Sequence, residues 1–163
     1  MSIQITGGDV VDMAVQTEVE GERFYRAAAQ RTNDNAKARA LFTFLADEEA
    51  RHKQAFEALS DSIVVTEIDP TTWEEGIAYI RATVDRAFFQ GASAPIRAVA
   101  QGASVEDMLR QAIAFEQQTL LFFGALRDLV QPPNRPLIDR IVAEERGHVR
   151  LLSAMLSPEA DAD

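Results

Sequence analysis

Four stretches of this 163-residue chain repeat apolar side chains every three or four positions, and the breakers between them are unevenly placed. That period lines side chains along one face of an α-helix. The first stretch covers about residues 9 to 30 and aligns Val11, Ala14, Gly21, Tyr25 and Ala28. The polar, cap-rich segment Arg31 to Asn35 leads into a second helix ending near Leu59, with Leu41, Leu45, Phe56 and Leu59 on its stripe. A third opens at Ser104, with an acid, Asp107, three residues on, and runs to about Val130 with Leu109, Ile113, Leu120 and Phe123 inward. Gln131-Pro132-Pro133-Asn134 is a firm stop. Asn134 is the expected cap of a fourth helix, which carries Ile138, Ile141, Leu152 and Met155 and stops at Ser157-Pro158.

Two tightly turned helix pairs, joined by the long connection Ser60 to Ala103, predict an all-α four-helix bundle with one long crossover. Within the crossover, Ser62 to Asp69 is β-branched, but a lone strand has nothing to pair with and reads as an extended connection. Thr71-Thr72-Trp73-Glu74 has the form of a capping box and opens an extra short helix ending near Gly91. Trp73 reads as a packing anchor there, and Gly91 to Gly102, which includes Pro95, as irregular. One core suffices for this length, so residues 1–163 read as a single domain with a frayed acidic tail from Glu159.

The informative residues are polar ones on the apolar stripes. Glu18 lies between Ala14 and Gly21, and Glu49 and His52 between Leu45 and Phe56. Glu116 lies between Ile113 and Leu120, and Glu145 and His148 between Ile141 and Leu152. Four carboxylates in one dry core repel strongly unless something positive sits among them, they protonate, or they face outward. The spacing favours metal: Glu and His at i, i+3 project from one helix face and reach one ion. Two divalent cations would balance four carboxylates. Oxygen and imidazole donors without sulfur suit iron or manganese, with zinc also possible. The chain's two histidines both follow a glutamate at that spacing. Glu48-Glu49 and Glu144-Glu145 are doublets, and periodicity does not choose between their members. Glu20 and Glu22 read as surface charges.

An internal repeat strengthens the pattern. Glu18 followed by Glu49-Ala50-Arg51-His52 is echoed by Glu116 followed by Glu145-Arg146-Gly147-His148, which suggests two helix pairs about a pseudo-twofold axis. The set resembles the ferritin-like di-iron carboxylate proteins and, within them, the rubrerythrin group: one Glu from each of two helices and Glu-x-x-His from each of the others. Glu18, then Gly21, then Phe24-Tyr25 is similar to the rubrerythrin first helix, and Glu116 with Phe122-Phe123 is a parallel string.

The resemblance implies a ferritin-like bundle and selects Glu49 and Glu145 from the doublets, leaving Glu48 and Glu144 solvated or supporting the ligands. It implies a ligand set of Glu18, Glu49, His52, Glu116, Glu145 and His148 for two iron ions. Glu49 and Glu145 would bridge, with Glu18 and Glu116 terminal or chelating. Tyr25 is otherwise core packing; the resemblance suggests a hydrogen bond to a ligand carboxylate. Two departures stand out. Fuller rubrerythrins carry a further carboxylate one turn after the third-helix ligand, where this chain has Thr119, and a rubredoxin-like cysteine domain, whereas this sequence has no cysteine.

That lack of cysteine removes disulfides, thiolate zinc sites, iron–sulfur clusters and thiol nucleophiles. A net charge of -10 disfavours nucleic acid and anionic membranes as partners. No stretch is long and apolar enough to span a bilayer, and Met1 to Gly8 lacks a signal-peptide pattern, so a cytoplasmic location is expected. The expected function is a di-iron oxidoreductase in which peroxide or dioxygen oxidises Fe(II), with an external electron donor and a homodimeric state. The alternatives are an iron-binding or storage protein and an interaction module with a structural metal.

Overall fold

The computed structural model describes residues 7–59 and 102–157, with Ala78 and Val99 as isolated positions. Four long helices account for nearly all of it: α1 (Gly7–Arg31), α2 (Ala36–Leu59), α3 (Val105–Leu129) and α4 (Arg135–Leu156). The expected extended run Ser62–Asp69 and the short helix with Trp73 lie, Ala78 aside, outside the described residues. So do the acidic tail and the first residues of the chain. Among the described residues no helix is long and apolar enough to cross a membrane.

The boundaries follow local chemistry. Asn35 accepts from the Ala38 amide at 3.0 Å and so starts α2. Ser104 and Asp107 form a complete capping box at α3, a stronger start than an acid at that position alone would dictate. Just before it, Gly102 takes φ +82, a left-handed conformation that glycine adopts without steric cost. Asn134 is a correction. Pro132–Asn134 forms a 3-10 turn that runs directly into α4, Asn134 is itself αR, and its side chain makes no capping hydrogen bond.

Two apolar clusters fix the topology. One gathers Val10, Val11 and Ala14 of α1, Phe56 of α2, Phe122, Phe123 and Leu126 of α3, and Ile138 and Ile141 of α4. The other gathers Phe24, Tyr25 and Ala28 of α1, Phe42, Leu45 and Ala46 of α2, Met108, Leu109 and Ala112 of α3, and Leu152 of α4. The early residues of α2 and α3 therefore share one end of the bundle and the late ones the other, so α2 and α3 run parallel. Helices α1 and α4 run opposite to them. A parallel α2–α3 pair obliges the chain to return the length of a helix, about 36 Å at 1.5 Å per residue, which is why one connection is long. Val99, near its end, is buried in the second cluster.

Packing also turns two stripes slightly from their expected faces. Phe42 is fully buried where Leu41 is only partly so, and Phe115 and Ala112 go deeper than Ile113 or Leu120. Each fully buried Leu or Phe contributes about 1.5–3 kcal/mol. These contributions hold together a bundle whose middle, between the clusters, is polar.

Candidate metal centre

The polar layer is assembled from one turn of each helix. Glu18, Glu49, Glu116 and Glu145 are fully buried, with His52 and His148 almost so. The i, i+3 spacing on α2 and α4 sends each Glu and its His from the same helix face into this layer. The six residues fall into two groups whose ligating atoms lie within 4.8 Å of one another: Glu18, Glu49, His52 and Glu145, and Glu49, Glu116, Glu145 and His148. Glu49 and Glu145 belong to both. The two imidazoles stack with centroids 5.8 Å apart and turn Nδ1 inward, His52 to 2.8 Å from Glu145 Oε1 and His148 to 2.7 Å from Glu145 Oε2.

These approaches are close, but their angles are not those of hydrogen bonds. Ten buried side-chain oxygen and nitrogen atoms lack a hydrogen-bond partner among the described residues, and nine of them belong to these six residues. The tenth is the hydroxyl of Thr119, one turn after Glu116 on α3. Leaving so many polar atoms unpaired is costly in any core. Divalent cations resolve it, since each oxygen and inward nitrogen is a lone-pair donor and two such ions neutralise four carboxylates. The donor set therefore fits metal ions, and its hard oxygen and imidazole character suits iron or manganese.

Titration without metal points the same way. Burial raises the Glu18 carboxyl, and burial with the charge of Glu145 raises Glu49 well above the ordinary range. Burial, then Glu145, lifts Glu116 to about 8. Burial opposes charge on the histidines, yet Glu145 and Glu18 carry His52 up to about 11, and Glu116 and Glu145 carry His148 to about 10. Glu145 meets the same opposition from burial, but lying between both imidazoles holds it down at about 2. In the metal-free chain, protons occupy the places that cations would take.

Supporting residues complete the layer. The Tyr25 hydroxyl donates to Glu116 Oε1, which is the hydrogen bond that resemblance suggested for it. His52 Nε2 donates to Glu144 Oε2 at 2.8 Å, leaving Nδ1 to face inward. Arg51 pairs with both Glu48 and Glu144 across α2 and α4. Sequence reasoning left Glu144 between solvent and support; only the distance to His52 on another helix decides it. Glu20 and Glu22 bind Arg23 and Arg26 on the outside of α1. Gly21 makes room for a neighbouring carboxylate, which its sequence context only hinted at. A Cβ there would lie 2.7 Å from Glu49 Oε2 and 2.9 Å from Phe115 Cζ, so the absence of a side chain lets the carboxylate into place.

The model of the rubrerythrin family matches residues 9–156 of the chain, spanning all four helices. The chain belongs to the rubrerythrin family. Its fold is ferritin-like: a crystal structure described as a ferritin-like diiron-carboxylate protein of Thermotoga maritima superposes with a TM-score of 0.68. That match covers 96% of this chain and 97% of the other at 24% sequence identity. No curated protein matches the sequence. This rubrerythrin-family bundle thus carries a buried Glu/His cluster able to hold metal.

Proposed function

We propose that the chain is a di-iron oxidoreductase in which peroxide or dioxygen oxidises Fe(II). The observation that carries this reading is the sharing of Glu49 and Glu145 between two overlapping donor groups, the arrangement that bridging two ions requires. Glu18 and His52 would complete one ion's ligands, and Glu116 and His148 the other's. Bound iron supplies the redox chemistry: two Fe(II) give the two electrons that, with two protons, reduce one peroxide to two waters.

The protein's own contribution is geometric and electrostatic. Glu144 orients His52, and Tyr25 holds Glu116. Glu145 stays ionised between the imidazoles, while Glu116, His52 and His148 give up protons as cations enter. The apolar clusters on both sides keep bulk water from the layer. With no cysteine in the sequence, re-reduction calls for an external electron donor.

Anaerobic Fe(II) titration followed by peroxide tests this. Two irons per chain, oxidised rapidly and repeatedly when a reductant is present, are expected. Hundreds of irons per chain would replace the reading with storage, and no uptake would leave an interaction module.

A further inference from the structure

Thr119, one turn after Glu116 on α3, is fully buried, and its hydroxyl lacks a hydrogen-bond partner. A helical threonine ordinarily returns its hydroxyl to a carbonyl three or four residues back. Thr17 and Thr43 do so here, at 2.9 and 2.8 Å. The Thr119 hydroxyl forgoes that bond, and burying it unpaired costs about 1–3 kcal/mol.

Its position says where the missing partner belongs. Helices α2 and α3 run parallel, and the rings of Phe56 and Phe123 meet at 4.9 Å. Four residues earlier on each helix, His52 and Thr119 stand level. Aligning Glu18 with Glu116 also makes Thr119 the counterpart of Gly21, where Glu49 Oε2 fills the space of a missing side chain. One half of the layer has bare backbone at this place, and the other has a hydroxyl. The nearby carboxylates are the proposed metal ligands, and a neutral hydroxyl competes poorly with them for a cation.

We infer that the Thr119 hydroxyl donates a hydrogen bond to a small exogenous ligand entering the metal centre, of the class that includes peroxide, water and azide. This rests on the metal-centre reading, and the test separates the two. Azide is titrated into the two-iron ferric protein and its binding followed by visible charge-transfer absorption. Thr119→Val and Thr119→Ala are expected to bind azide about tenfold more weakly, the worth of one hydrogen bond to a charged acceptor, while Thr119→Ser stays within about threefold. Metal-free Thr119→Val should unfold at the same temperature as the parent or higher, because it removes an unpaired buried hydroxyl.

Failure of the parent to bind two irons would overturn the metal-centre reading and this inference with it. Two irons in every variant with unchanged azide affinity would overturn the Thr119 inference alone. So would loss of an iron in Thr119→Val or Thr119→Ala, which would make the hydroxyl a support for the ligands.

Discussion

The two helix pairs, α1–α2 and α3–α4, supply the same ligand types in the same order, yet they are not equivalent around the centre. Tyr25 in the first pair corresponds to Phe123 in the second, so the phenol reaches across to Glu116 and no counterpart hydroxyl reaches Glu18. Gly21 corresponds to Thr119. His52 is tied through Nε2 to Glu144, whereas Glu48, the counterpart of Glu144, is taken by Arg51 on its own helix. The repeat builds a balanced set of charges, and the departures from it make the two overlapping donor groups chemically different.

The largest test of that difference is to remove each imidazole in turn. His52→Ala and His148→Ala should each abolish the two-iron site, read by metal analysis after dialysis. Full occupancy and an unchanged oxidation rate in either variant would discard the ligand assignment. Unequal residual binding in the two variants would measure how unlike the halves are.

Next in size is the effect of pH. His52, His148 and Glu116 all hold protons at neutral pH in the metal-free chain. Metal uptake expels them, so affinity should rise with pH by more than tenfold per unit between pH 6 and 8, with proton release measurable by calorimetry in buffers of different ionisation enthalpy. The stability of the metal-free chain should change in the opposite sense. These three groups bind protons more tightly when folded, so their stabilisation is complete below their ordinary pKa values. It is lost as pH rises through about 8 to 11. A denaturant midpoint that climbs over that interval would contradict the assigned protonation.

Smaller effects probe single contrasts. Gly21→Ala forces a methyl into Glu49 and Phe115, and should cost about 1–3 kcal/mol in unfolding free energy and weaken metal binding. A neutral result would mean that Phe115 and Glu49 yield freely. Glu144→Gln should weaken metal binding about tenfold by loosening His52, while Glu48→Gln, whose carboxylate binds Arg51 and not a histidine, should change it little. Equal effects from these two substitutions would erase the asymmetry drawn from Glu144.

The helices were legible because their period is written in adjacent residues, and the site because charged residues stand out on an apolar stripe. What escaped was any choice between neighbours about 100° apart on one helix. Leu41 and Phe42 are both apolar, and only packing against Tyr25, whose ring lies 6.2 Å from that of Phe42, buries the second. The same holds for Glu48 against Glu49, where resemblance had to select the inward member. Asn134 misled because its residue type favours capping, whereas the 3-10 turn through Pro132 and Pro133 fixes its backbone as αR.

By itself, the sequence determined four amphipathic helices, the parity of two halves, and six ionisable side chains that no apolar core would tolerate unneutralised. The tertiary structure alone decided which atoms converge: that Glu145 lies between both imidazoles, that Tyr25 serves the opposite half, and that a carboxylate fills the space beside Gly21. The division has one physical cause. Helical period and burial preference act within a few residues of chain, but a shared site joins residues distant in sequence, and their register is set by how whole helices pack.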